Sequence, residues 1–178
     1  MIPGLAGLLA QPGAAMLDVG TGVGALAVAY AEALPGVRIV GLDVLPQAVA
    51  LAERTVAASS AASRVEIRLQ DVQDLDEPGR YACAWVPAPF IPEPALLAGM
   101  KRVVAALVPG GWACLGYGRL DGTPAEQAVT RFQLASYGGT ALDGPQATSL
   151  LRDAGLTDIM SLPAGPGMPA ITLARRPA

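Results

Sequence analysis

The chain has 178 residues, 52% of them hydrophobic, and 12 Lys and Arg against 15 Asp and Glu, for a net charge of −3. That length suits a single domain with a sizeable core, and the acidic balance, with no Lys/Arg run beyond two residues, excludes a general basic surface for nucleic acid. There is no histidine, so a histidine general base is excluded for this polypeptide acting alone.

The apolar opening, Met1 to Ala10, lacks the positive n-region of a secretion signal and predicts a short helix within residues 1–13. Ala14 to Val19 predicts the first strand, and Ala25 to Leu34 a helix stopped by Pro35-Gly36. Between them lies Asp18-Val19-Gly20-Thr21-Gly22-Val23-Gly24, a glycine cluster at a strand-to-helix turn. Glycine there permits positive φ and lets a ligand approach the backbone. The next strand, Val37 to Asp43, ends on a carboxylate nineteen positions after Gly24, suited to accept two hydrogen bonds from a ribose diol. Turn and acid together predict a nucleoside site. Pro46 opens a second helix with Val49, Ala52 and Val56 on one face. The alternating strand Arg64 to Gln70 runs into Asp71, a third strand-end acid, whose expected use is adenine recognition.

A polar stretch with Asp74, Asp76, Glu77 and Pro78-Gly79 leaves no room for a long helix before the fourth strand, Tyr81 to Val86. Glu93 to Val108 predicts a helix ended by Pro109-Gly110-Gly111, and Trp112 to Tyr117 the fifth strand. Thr123-Pro124-Ala125-Glu126 is a capping-box pattern with proline at the first helical position, starting a helix to about Tyr137 that Gly138-Gly139 ends. A shorter helix, Pro145 to Ala154, leads into strands near Leu156 to Leu162 and Ala170 to Arg175. This alternation predicts an α/β fold whose mostly parallel sheet is covered on both faces. One domain over residues 1–178 is expected, with a cofactor half at 14–80 and a substrate-side half at 81–178. Cys83 and Cys114 have no histidine or cysteine companions at ligand spacing, so they are read as buried small hydrophobes and no metal is expected. The longest apolar candidate, Ala84 to Met100, holds four prolines and a glutamate, so no membrane span is predicted and a cytoplasmic protein is expected.

Gly20-x-Gly22-x-x-Ala25 also fits the looser dinucleotide fingerprint. Asp18, two residues before the first glycine, favours S-adenosyl-L-methionine, because an acid there is placed to meet the cationic amino group of an amino-acid cofactor. With Asp43 and Asp71 at two further strand ends, the chain resembles the class I S-adenosylmethionine-dependent methyltransferases from about Ala14 to Arg176. The resemblance implies a Rossmann-like three-layer sandwich, with a seven-stranded mostly parallel sheet ending in a C-terminal β-hairpin. It implies that Asp18, Gly20, Thr21, Gly22 and Gly24 surround the methionine end of the cofactor and that Asp43 binds the ribose. By the same resemblance Asp71 contacts the adenine, Val44, Leu45 and Val72 line the adenine slot, and the product is S-adenosyl-L-homocysteine.

The family's acceptor site lies beside the end of the fourth strand, here Trp85-Val86-Pro87-Ala88-Pro89-Phe90-Ile91-Pro92. This departs from the Asn/Asp-Pro-Pro-Tyr/Phe signature of amino-directed members. Val86 stands where the Asn or Asp is expected, so no side chain accepts a hydrogen bond from a target nitrogen. Trp85, Pro87 and Phe90, with aromatic surface from Tyr117, Phe132 and Tyr137, suit a small hydrophobic or aromatic metabolite, methylated on oxygen or carbon mainly by proximity. Tyr117, Asp121 and Tyr137 are the acid-base candidates of this half. The chain is short beside many small-molecule members, which suggests a homodimer or a lid domain absent from it. Two other readings stand beside this one: a non-catalytic methyltransferase-like partner subunit, and an NAD(P)-dependent oxidoreductase. The latter is opposed by Asp18 and by the lack of a Tyr-x-x-x-Lys pair, Lys101 being the only lysine.

Overall fold

Every residue of β1, Ala15–Val19, is buried, as expected of a central strand covered on both faces. The computed structural model describes residues 2–118, 120, 122–163 and 169–178. Around β1 are β2 (Arg38–Asp43), β3 (Val65–Leu69), β4 (Tyr81–Pro87), β5 (Leu107–Tyr117), β6 (Thr157–Leu162) and β7 (Ala170–Arg175). They form one seven-stranded sheet in the order β3-β2-β1-β4-β5-β7-β6. The first five strands run parallel, while β7 is antiparallel to both β5 and β6. The α/β class, the seven strands and the C-terminal hairpin thus stand as expected.

The helices are α1 (Leu5–Leu9), α2 (Ala25–Ala33), α3 (Pro46–Ala57), α4 (Glu93–Ala106), α5 (Pro124–Tyr137) and α6 (Gly144–Asp153). Strand alternation divides the core into two layers. Leu17, Leu42, Val86 and Leu115 pack with Leu96, Met100 and Val103 of α4 and Leu151 of α6. Met16, Ile39, Cys83 and Trp112 pack with Ala27 and Ala31 of α2 and Val56 of α3. Each large apolar side chain so buried contributes about 1.5–3 kcal/mol relative to exposure. The strand order reverses between β1 and its neighbours β2 and β4, which opens a crevice at the carboxyl ends of these strands.

Three features depart from the sequence reading or refine it. Pro109-Gly110-Gly111 does not stop the chain before β5: the strand begins at Leu107 and runs through it. Gly110 takes φ +77, and the backbone beyond β7 supplies the pairing, Gly110 N–H to Arg176 O at 3.1 Å and Arg176 N–H to Gly111 O at 2.8 Å. In place of a helix between β3 and β4, a single 3₁₀ turn at Val72–Asp74 packs beneath α4. Gly99 permits that contact, since a Cβ there would lie 2.5 Å from Val72 Cγ1. The following polar stretch is anchored by Arg68, which pairs with Glu66 and Glu77 at 2.8 Å each, while the Tyr81 hydroxyl donates to Glu77. Finally, β6 is bulged: its register with β7 shifts between Thr157 and Met160, and Asp158 has φ +50.

Cys83 and Cys114 are free thiols with their Sγ atoms 3.5 Å apart in the sheet. The contact with Cys114, together with burial, pushes the Cys83 thiol well up. Among the described residues no group of three or more His, Cys, Asp or Glu is disposed to hold a metal ion, and no helix is long and apolar enough to cross a membrane.

Candidate functional site

The glycine turn is built from backbone conformations that only glycine adopts without strain. Gly20, Gly22 and Gly24 have φ +64, +57 and +78, in the left-handed region that costs other residues about 1–2 kcal/mol. A Cβ on Gly22 would meet nothing within 4 Å, so its backbone faces open space. Gly24 caps α2, and a Cβ there would lie 3.1 Å from Ala52, so it sets the approach of α2 to α3.

Two carboxylates fix the turn from either side. Asp43, ending β2, accepts from Gly22 N–H through Oδ2 and from Leu45 N–H through Oδ1, both at 2.9 Å. Thr21 N–H donates to Leu42 O at 2.9 Å, so the loop after β1 is tied to β2 at two points. Asp18 lies behind the turn, 1% exposed, where the Thr21 hydroxyl donates to its Oδ2 at 2.7 Å. Burial pushes the Asp18 carboxyl up to about 6; the Thr21 hydrogen bond opposes the rise and the neighbouring Asp43 charge adds to it. Gly41 makes room for this arrangement, because a Cβ there would stand 2.7 Å from Thr21 Oγ1.

Above the turn lies a cleft of about 560 Å³. At one end it meets Gly20 and Gly22; Asp43 stands on its wall, and Val44, Leu45, Asp71 and Val72 line the other end. The Asp71 carboxylate accepts from Gln73 N–H at 2.9 Å and Gln73 Nε2 at 3.1 Å, which orients it at the head of the 3₁₀ turn. Glycine backbone, then a pinned carboxylate, then an apolar slot beside a second carboxylate is a donor and acceptor set that fits a nucleoside carrying an amino-acid tail. Phe90 and Tyr137 also line the cleft, with ring centroids 5.2 Å apart and planes tilted by 34°.

Several residues singled out from the sequence are not on this wall. Asp18, Thr21 and Gly24 sit behind the turn and shape it. Trp85 lies on the α2 side of the sheet over Gly116, where a Cβ would be 2.5 Å from its Cη2. Tyr117 is buried, its hydroxyl 3.1 Å from Thr172 Oγ1. Phe132 is on α5 but 75% exposed and away from the cleft. Val86, expected at the acceptor position, points into the α4-side core. The residue that meets the turn is Pro87, whose Cγ lies 3.6 Å from where a Gly20 Cβ would be. Asp121 lies outside the described residues. Gln70, Ile91, Pro92 and Ala95 line the cleft without having been foreseen as site residues; the helix start at Pro92-Glu93-Pro94 was the available signal for the last three, since the first turn of α4 lies on the cleft.

Residues 16–111, from β1 through the glycine turn, both later acids and the β4 exit, match the family described as a methyltransferase domain. The chain belongs to the class I S-adenosylmethionine-dependent methyltransferases. This displaces the oxidoreductase reading of Gly20-x-Gly22-x-x-Ala25. The chain is 34% identical over 183 residues to a release factor glutamine methyltransferase of Cereibacter sphaeroides, covering 96% of this chain and 62% of that one. It is 33% identical over 127 residues to a ubiquinone biosynthesis O-methyltransferase of Xanthomonas campestris, covering 70% of this chain and 51% of that one. Among solved structures, the S-adenosylmethionine-dependent methyltransferase SibL in its apo form is 26% identical, with a TM-score of 0.77 over 98% of this chain and 55% of that one. The chain therefore spans between half and two thirds of the length of these relatives.

Proposed function

We propose that the cleft holds S-adenosyl-L-methionine along its length and that the chain transfers the methyl group to a small hydrophobic or aromatic acceptor, on oxygen or carbon. The observation that carries this reading is the glycine turn with its open Gly22 backbone, tied to a carboxylate that keeps lone pairs free beside an apolar slot. When bound, the cofactor supplies an electrophilic methyl carbon whose leaving group is a neutral thioether. Gly20 and Gly22 receive its methionine end, Asp43 accepts from its ribose hydroxyls, and Asp71, with Val44, Leu45 and Val72, takes its adenine. Asp18 and Thr21 act from behind, holding the turn that makes these contacts.

On the acceptor side, Pro87 meets the turn and offers no side-chain hydrogen-bonding group. This supports oxygen or carbon acceptors over an amide nitrogen, despite the overall likeness to a relative named for glutamine methylation. With no histidine in the chain, the protein's contribution is position and exclusion of water. Phe90 and Tyr137 provide the apolar surface for that. Both are more than half exposed, which supports closure by a second copy or by a segment beyond this chain. Two free thiols support a cytoplasmic setting.

Isothermal titration with S-adenosylmethionine, S-adenosylhomocysteine and NAD(H) tests the cofactor half: micromolar binding of the first two alone is expected, and silence from both overturns it. Transfer of labelled methyl is then compared between phenolic acceptors and a glutamine-containing peptide. Binding without transfer to any acceptor points to the non-catalytic partner-subunit reading.

A further inference from the structure

The helix α5 is thinly attached along its length. Of its fourteen residues only Leu134 is buried. Its exit is different. Gly138 turns the chain with φ 70, and Gly139 then rests on the Pro89–Phe90 peptide so closely that a Cβ would stand 1.8 Å from Pro89 O. Thr140 N–H donates to Ala88 O at 2.9 Å, and the buried Thr140 hydroxyl donates to Ile91 O at 2.7 Å. These two bonds take hold of the carbonyls on either side of Phe90, the residue whose ring meets Tyr137 at the last position of α5.

A threonine is stiff at χ1, so a hydroxyl bonded in this way holds the loop in one place. Breaking the bond leaves a buried carbonyl unpaired, which costs more than the bond itself contributes. The glycine is equally constrained, because no other residue allows the two segments to approach so far.

We propose that Thr140, seated by Gly139, is a positioning residue for the acceptor end of the cleft. It locks the turn at Ala88–Phe90 to α5, so that Phe90 and Tyr137 present one aromatic wall and occupancy of the cleft is transmitted along α5. The transmission rests on the cofactor reading of the cleft; the lock does not.

Hydrogen exchange of the full chain, read by mass spectrometry with and without S-adenosylhomocysteine, tests both. In the ligand-free protein, Thr140→Val is expected to speed exchange of residues 88–91 and 124–137 together by about fivefold, the equilibrium factor of one typical net hydrogen bond, and to leave residues 16–43 unchanged. The ligand is expected to slow exchange of both segments in the wild type. In Thr140→Val the slowing persists at residues 20–45 and is lost from 124–137, a separation that a merely structural role for Thr140 does not produce. Thr140→Ser, which keeps the hydroxyl, restores the wild-type pattern. If Thr140→Val fails to fold, Tyr137→Leu breaks the ring contact instead and is expected to uncouple 124–137 from the ligand while 88–91 stays protected. Unchanged ligand-free exchange in Thr140→Val overturns the lock. Slowing of 124–137 that survives both Thr140→Val and Tyr137→Leu overturns the transmission. A wild type indifferent to the ligand everywhere overturns the cofactor reading, and the transmission with it, while ligand-free loosening in Thr140→Val still supports the lock.

Discussion

Asp43 and Asp18 both hold the same turn, one from the cleft wall and one from behind it. Asp43 is braced by two backbone N–H groups, which fix the direction of its carboxylate on the cleft wall. Asp43→Ala is expected to weaken S-adenosylhomocysteine binding by about 1.5–3 kcal/mol, the scale of a charge-assisted hydrogen bond; unchanged affinity by titration refutes the ribose role. Asp18 is buried behind the turn with its carboxyl raised from the ordinary 3.8 to about 6. A raised carboxyl means that the fold prefers its neutral form, so the associated stability is fully present below pH 4 and is lost as pH rises through about 6. That loss amounts to about 3 kcal/mol for a rise of this size. Asp18→Asn removes the ionisation, so its stability relative to wild type should improve by about that amount between pH 4 and pH 7.5 in urea titrations. A difference that does not vary with pH overturns this account. The glycine spacing and the strand-end acids were legible in the sequence because turn chemistry is local. Whether Asp18 touched ligand or loop was not legible, since that depends on the hydroxyl of Thr21 and on the space left by Gly41 in another strand.

The elements show the same division between local and distant causes. The capping box at Thr123 and Glu126 is formed as the motif predicts, and α3 starts at Pro46 with Val49, Ala52 and Val56 inward. The start of β5 was hidden because Pro109-Gly110-Gly111 reads locally as a break, whereas its partner is the backbone of Arg176, far away in sequence. Of the aromatic candidates, Phe90 and Tyr137 line the cleft, while Trp85, Tyr117 and Phe132 lie off it for a related reason. Strand parity sends Trp85 to the α2 side, and the pitch of α5 carries Phe132 away from the cleft while leaving Tyr137 on it. Sequence showed that these side chains were aromatic and near the acceptor half; only tertiary packing decided which way each pointed. Packing at Gly99 carries a prediction at this scale. With a Cβ position 2.5 Å from Val72 Cγ1, Gly99→Val forces α4 away from the 3₁₀ turn that presents Asp71 and Val72. A loss of about 1–3 kcal/mol, the usual range for overpacking, is expected in urea unfolding, together with weaker adenosyl-ligand binding. Full retention of both means that the turn yields without cost.

At the level of the whole molecule, the cleft spans the carboxyl ends of β1, β2 and β3 and the first turn of α4, so a ligand filling it bridges segments that belong to separate crossover units. Binding should therefore stabilise the fold as one body. At a hundred times its dissociation constant a ligand adds about 2.7 kcal/mol, and a chain of this size gains about 2–4 °C per kcal/mol. A rise in Tm of about 5–11 °C with S-adenosylhomocysteine, and none with NAD(H), is the expected result; a flat response to both counts against the cofactor site. The far border of the sheet has a different consequence. The outermost strand, β6, is largely exposed and pairs on one side only, so its free backbone groups would template a foreign strand if they ran straight. The left-handed residue Asp158 and the shifted register around it prevent that by bending the strand and spoiling its repeat. Removing Asp158 by deletion should convert this border into a site of edge-to-edge association, visible as light scattering that grows with protein concentration at temperatures where the parent chain stays clear. The bulge thus protects the chain from its own kind.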